Sequence, residues 1–226
     1  MLDFIGTMGT SALMVLIVAA LAVAFKASNT GKLTFAAFAG LWIGFAAASA
    51  QAGWVAIGWP FPLLGLYVAA PIVAGAIAAA TPAGRAALLA LPTRLLIGLN
   101  MGRILAVMFL LLARDGRLSG PFPFYAGWGD IITGVLAIPI VLFDVKRPGL
   151  VMAWNLFGTV DLVDAIFLGT MSQEGSLQIF EMPGSTPMQH LPWSFIPTVL
   201  VPYFLVAHGV IAAQLQSRRQ PIPATR

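Results

Sequence analysis

Arg103, Asp130, Asp161 and Asp164 each interrupt a run of residues that is otherwise apolar. An Arg or Asp at the centre of a membrane helix costs about 2.5–3.5 kcal/mol on insertion scales, so the four together cost on the order of 10 kcal/mol before pairing. Charged side chains in such places pair with one another or line a path for protons, ions or a solute. The spacing favours a shared region, because Asp161 and Asp164 are three residues apart, as are Asn100 and Arg103, and such pairs share a helix face. One guanidinium cannot neutralise three carboxylates. The cluster is therefore expected to hold a proton or to admit a cation, with Arg103 binding an anionic group or restraining Asp161 while Asp130 and Asp164 carry out the exchange. The plainer alternative is a buried ion pair, Arg103 with Asp161 or Asp130, that fastens four helices together.

Asn100, Asn155 and His208 are the accessory polar residues. Counted at 1.5 Å per residue from the inner helix ends, Arg103, Asp161, Asp130 and Asp164 lie about 14–20 Å deep, and the accessory three only about 8–11 Å. The helical angle points Asn155 about 120–180° away from the two aspartates of its helix, so His208 and Asn155 are not expected to continue the same pathway. A lone membrane histidine is more simply a partner for a backbone carbonyl than a ligand. Glu174, Glu181 and His190 share one loop near Asp164, but no paired ligand spacing such as HExxH accompanies them, and no metal is assigned. His190 lies about 27 Å along a helix from His208, too far for two-histidine haem ligation.

Other chemistries are excluded by what the chain lacks. It has no cysteine, GxSxG elbow, Walker loop or glycine-rich dinucleotide fingerprint. A retinal Schiff base has no lysine to form on, since Lys26, Lys32 and Lys146 all fall in loops. No cofactor is assigned. The net charge of +4 comes from twelve Lys and Arg against eight Asp and Glu, and all the basic residues but Arg103 are scattered at helix ends, unlike the clustered basic and aromatic surface that nucleic acid requires.

The elements that must position the cluster follow from composition. Of 226 residues 59% are hydrophobic and 9% charged, against about 25% charged in a soluble domain. Lipid must be the solvent. Stretches of about 20 apolar residues suffice to cross a bilayer, and seven occur: 8–25, 33–52, 61–80, 94–113, 123–143, 150–170 and 193–215. The fold class is thus all-α, a polytopic bundle in one membrane domain over residues 1–226. Pro62, Pro92, Pro123, Pro148 and Pro192 precede or open five of the stretches, where a missing N–H costs nothing. Aromatics beside proline in Gly58–Pro62, Gly120–Phe124 and Leu191–Trp193 suit the membrane boundary. The segment between Arg85 and Arg94 is expected to lie along the inner surface.

Charge fixes the expected orientation. Loops after the first, third and fifth stretches, with the basic tail 216–226, hold nine Lys and Arg, and the opposite side holds only Arg114 and Arg117. Positive loops stay in the cytoplasm, so the N-terminus is expected outside and the C-terminus inside. The expected location is the bacterial inner membrane. Gly40-x-x-x-Gly44 and Gly98-x-x-x-Gly102 provide small-residue rows for close helix approach, read as packing within the bundle ahead of a dimer seam. Three functions remain open. The first is a proton- or cation-linked transporter of a small solute. The second is a non-catalytic membrane subunit or assembly factor bound to a membrane-protein partner. The third is an embedded enzyme acting on a lipid or quinone, with an Asp as general base and His208 or His190 assisting.

Overall fold

Apolar residues in unbroken runs leave the backbone to satisfy its own hydrogen bonds, and helices do this without a partner strand. In the computed structural model, which describes residues 1–26, 28–58 and 62–217, every regular element is helical. α1 spans Leu2–Ala24 and α2 Asn29–Gln51, the latter capped by Ser28, whose Oγ accepts from Gly31 N at 3.1 Å. α3, Leu64–Ala80, is followed by the short α4, Pro82–Leu89. α5 (Thr93–Leu99), a 3-10 run (Asn100–Ala106) and α6 (Val107–Arg114) form one continuous rod. α7 (Phe122–Leu142) and α8 (Pro148–Met171) follow, and α9 (Val201–Ser217) begins behind a π-turn over Ile196–Leu200.

Six of these units are long and apolar enough to cross a membrane: α1, α2, the α5–α6 rod, α7, α8, and α9 with its π-turn. The third expected stretch differs. α3 has 17 residues, about 26 Å at 1.5 Å each, and the chain then turns through 105° into α4. Counting the bent pair as one crossing gives seven. The turn has a local cause. Pro82 has no N–H to continue the α3 ladder, and Thr81 restarts the chain by accepting from Gly84 N at 3.1 Å. α4 carries Arg85 away from the α3 axis, in the segment expected to leave the bundle direction. Helix limits also moved: α1 starts at Leu2 rather than 8, and the last unit at Ile196 rather than 193. Residues 59–61 of the aromatic-proline segment and 218–226 of the basic tail, with Arg218, Arg219 and Arg226, lie outside the described residues.

The two ends of the bundle are tied differently. At one end, called here the near end, Asp3 in the first turn of α1 accepts from Arg117 at 2.9 and 3.2 Å and from Trp193 Nε1 at 2.7 Å. Gly58 lies against the Glu174–Gly175 backbone at the same end. At the far end the Gln214 amide donates to Leu89 O and Leu91 O at 3.2 and 2.7 Å, while its Oε1 accepts from the Thr93 hydroxyl at 2.7 Å. Trp193 is fully buried, its ring against Gly6 and its Nε1 on Asp3, and so pins α1.

Packing is tightest in the second half of the chain. Leu96, Leu99, Leu162, Leu200, Phe204 and Ile211 form the main core, with a second cluster of Phe109, Leu112, Phe122 and Trp193 toward the near end. α2 is the least enclosed unit, with 17% of its apolar window buried against 50% for the α5–α6 rod. Gly102 receives Leu13 of α1, yet Gly40 and Gly44 meet nothing within 4 Å. The first small-residue row therefore does not pack inside the bundle, contrary to the sequence expectation.

Candidate functional site

Arg103 sits in the middle of the 3-10 run, at 2% exposure. Its position depends on α7 coming unusually close. A Cβ on Gly134 would lie 3.0 Å from Ile104 N, and one on Gly127 would lie 3.1 Å from Leu110 Cδ2. Small residues on one face of α7 thus bring its backbone onto the rod. The 3-10 run has seven residues, longer than the usual three or four, and it presents Arg103 toward α7, α8 and α9 together.

The guanidinium is almost completely coordinated. Arg103 Nε donates to Asp130 Oδ1 of α7 at 2.5 Å, and Nη2 donates to Asp161 Oδ2 of α8. Nη1 donates to Gly158 O at 3.2 Å and faces His208 Nε2 of α9 at 3.0 Å. Phe204 lies under it, 5.7 Å from Cζ to the ring centroid, a cation–π distance. A guanidinium can only donate, so His208 Nε2 accepts. The imidazole hydrogen then sits on Nδ1, which donates to Asn155 Oδ1 at 2.8 Å. Asn155 Nδ2 returns a bond to His208 O at 3.2 Å.

Two glycines make this convergence possible. A Cβ on Gly129 would collide with the Asp161 carboxylate, so the bare α7 backbone is what lets that carboxylate pass to Arg103. A Cβ on Gly158 would lie 2.7 Å from His208 Cε1 and 2.8 Å from Thr133 Cγ2. α7 is continuous from Phe122 to Leu142, so neither Gly127 nor Gly129 interrupts it.

The sequence-derived residues are distributed as follows. Arg103, Asp130 and Asp161 meet directly. Asp164 is only partly buried, one turn toward the near end, and makes no ion pair among the described residues. Asn100 is fully buried but donates to its own helix at Leu96 O, 2.9 Å away. His208 and Asn155, expected to stand apart, join the cluster. Asn155 does point away from Asp161 on α8, and His208 closes the gap from α9. Glu174, Glu181 and His190 are not gathered, and no group of three metal-ligating side chains occurs among the described residues.

Asp130 and Asp161 open onto different spaces. Asp130 borders a narrow cavity of about 60 Å³ that runs past Phe122 and Ile166 to Thr170, Ser185 and Met188 at the near end. Asp161 and Asp164 border a wider groove of about 650 Å³ between α7 and α8. Both spaces are lined in part by α7 and α8, and Arg103 holds one carboxylate from each.

Fold and site together define a class: a helical protein with six or seven membrane-length helices and a charge cluster enclosed by the later ones. A family model described as a domain of unknown function, DUF8737, matches residues 60–216, and the chain belongs to that family. The matched segment contains every residue of the cluster and leaves out α1 and α2, apart from which the tight half of the molecule begins. No curated protein and no solved structure matches the chain.

Proposed function

We propose that the chain is an integral-membrane protein of the bacterial inner membrane, with the near end external, that moves a small solute in exchange for a proton or cation. The observation that supports this is a single guanidinium held between two carboxylates that face separate spaces. Arg103 is always charged. With Asp130, Asp161 and Asp164 around it and a neutral imidazole beside it, the cluster carries more negative than positive charge. A proton or cation arriving at Asp161 from the groove weakens its hold on Arg103, which then rests on Asp130. Loss of that proton or cation restores the first state. The 3-10 run is the element able to follow, since conversion of its seven residues to α geometry rotates the side chain and shortens the run by about 3.5 Å.

Positive-inside asymmetry supports the orientation. Lys26, Lys32, Arg85, Arg94, Lys146 and Arg147 all lie at the far end. The test of transport uses purified protein in proteoliposomes with an internal pH dye and an imposed pH gradient. Solute-dependent collapse of the gradient, absent in Asp161→Asn, is the expected result. A gradient that persists with every solute tried, from protein verified as folded, removes the reading.

One observation favours a second reading, a non-catalytic subunit. α2 exposes Gly40, Gly44 and the apolar residues Leu33, Phe38 and Leu41 around them, a face suited to another membrane helix. Co-purification of a stoichiometric membrane protein, with Arg103 serving only as an internal fastening, is the outcome that reading requires.

A further inference from the structure

We propose that the groove between α7 and α8 binds an amphiphilic organic cation, its charged head at Asp164 and Asp161 and its apolar body along the aromatic wall. As an account of a transported solute this rests on the transport reading above; as a binding site it does not.

The groove is built from Phe124, Tyr125 and Trp128 of α7 and Phe157 of α8, with Asp161 and Asp164 along one side. Its volume of about 650 Å³ lies in the range that encloses drug-sized ligands, about 300–1,000 Å³. The four aromatics are exposed, from 43% at Phe157 to 66% at Tyr125. A boundary belt explains aromatics near the ends of membrane helices, but it does not explain two carboxylates among them. No Lys or Arg borders the groove. Arg103 reaches Asp161 from behind, past Gly129, and Asp164 has no cationic partner among the described residues. The Asp164 carboxylate, without a counter-charge among the described residues, attracts a cation, and aromatic faces add to that attraction.

The chemistry of the wall selects the kind of cation. A hard metal ion takes six or more oxygen ligands or keeps its water, and this groove offers two carboxylates among rings and the aliphatic Ile132 and Val160. A weakly hydrated ammonium or phosphonium ion with an apolar body meets both surfaces. The groove is open along the helix flanks, and depth favours arrival from the near-end leaflet. Asp164 lies seven residues from the near end of α8 at Met171, about 10 Å along the helix.

The test is equilibrium binding of radiolabelled tetraphenylphosphonium to the purified full chain in lipid nanodiscs, with tetraphenylborate as an anion of nearly the same size. Saturable binding of the cation and none of the anion is expected. Asp164→Asn should weaken the cation about tenfold and Trp128→Ala several-fold, with most affinity retained in Trp128→Phe. Val160→Trp, at a site exposed along the groove, should block binding without touching either carboxylate. Equal uptake of both ions, or affinity unchanged in Asp164→Asn and Val160→Trp, overturns the proposal. Binding that behaves as expected with no flux in proteoliposomes removes transport and leaves the site. Flux that survives both substitutions removes the groove as the route of the solute and leaves transport.

Discussion

At the scale of single residues, Arg103 is held by two carboxylates, and this changes what its removal does. Arg103→Ala leaves both Asp130 and Asp161 buried without their partner, and breaking a buried pair costs about 3–5 kcal/mol. Adding Asp161→Asn alone should restore little, because Asp130 stays orphaned; adding Asp130→Asn as well should recover most of the loss. Thermal unfolding in mild detergent reads the series, and full recovery in the double variant would show that Asp130 is not a real partner. Gly129→Ala is the complementary test from the opposite direction. Its methyl group occupies the place of the Asp161 carboxylate, so it should lower stability by about 1–3 kcal/mol, as overpacking does. It should also abolish whatever depends on the Arg103–Asp161 contact. The charged members of this cluster were legible because each stands out against apolar neighbours. The role of Gly129 was not, since a glycine in a membrane helix shows where a neighbour can approach but not which neighbour does.

Elements explain why the remaining site residues were harder to place. A helical wheel over residues 93–114 assumes 100° per residue, whereas a 3-10 turn advances 120°; over seven residues the phase slips by about 140°. Nothing in Asn100–Ala106 signals that change. His208 and Asn155 were set aside for a related reason. The helical angle of Asn155 was judged against the aspartates of α8 alone, and the contact that recruits it comes through His208 of α9. Four of the five proline positions lie within two residues of a helix start and Pro192 lies four before one, but Pro82, which with Thr81 turns the chain through 105°, was not among them. The glycine rows show the same limit. Gly134→Val should cost about 1–3 kcal/mol by pushing α7 off the rod. Gly40→Leu and Gly44→Leu should leave the stability of the single chain within about 0.5 kcal/mol. Thermal melts of the three variants decide the point, and a large loss at Gly40 would mean that α2 packs elsewhere in the native protein.

For the whole molecule, the near and far ends make opposite predictions. Reporter fusions after Gly31, Arg85 and Lys146 should read as cytoplasmic and those after Gly58, Gly116 and Gly184 as external. A cytoplasmic signal at Gly184 would overturn the orientation, because the segment from Ser172 to Phe195 holds no Lys or Arg. The all-helical character and six of the seven expected membrane-length runs were readable from composition and length. The bend at Thr81, which makes the seventh run a matter of counting a broken pair, depended on a local cap. The Asp3–Arg117–Trp193 pin at the near end also has a consequence for how the protein is made. A ribosome releases α1 first and Arg117 follows α6, but Trp193 emerges only after α8, so the latch on the earliest helix stays incomplete until the chain is nearly finished. Until then α1 rests on Arg117 and on contacts such as Leu13 at Gly102, and the sparsely packed α2 is held by little besides lipid. Chains stalled or truncated before Trp193 should present a loose leading hairpin, the form that a membrane quality-control protease can seize, while finished chains close from their last segment back onto their first.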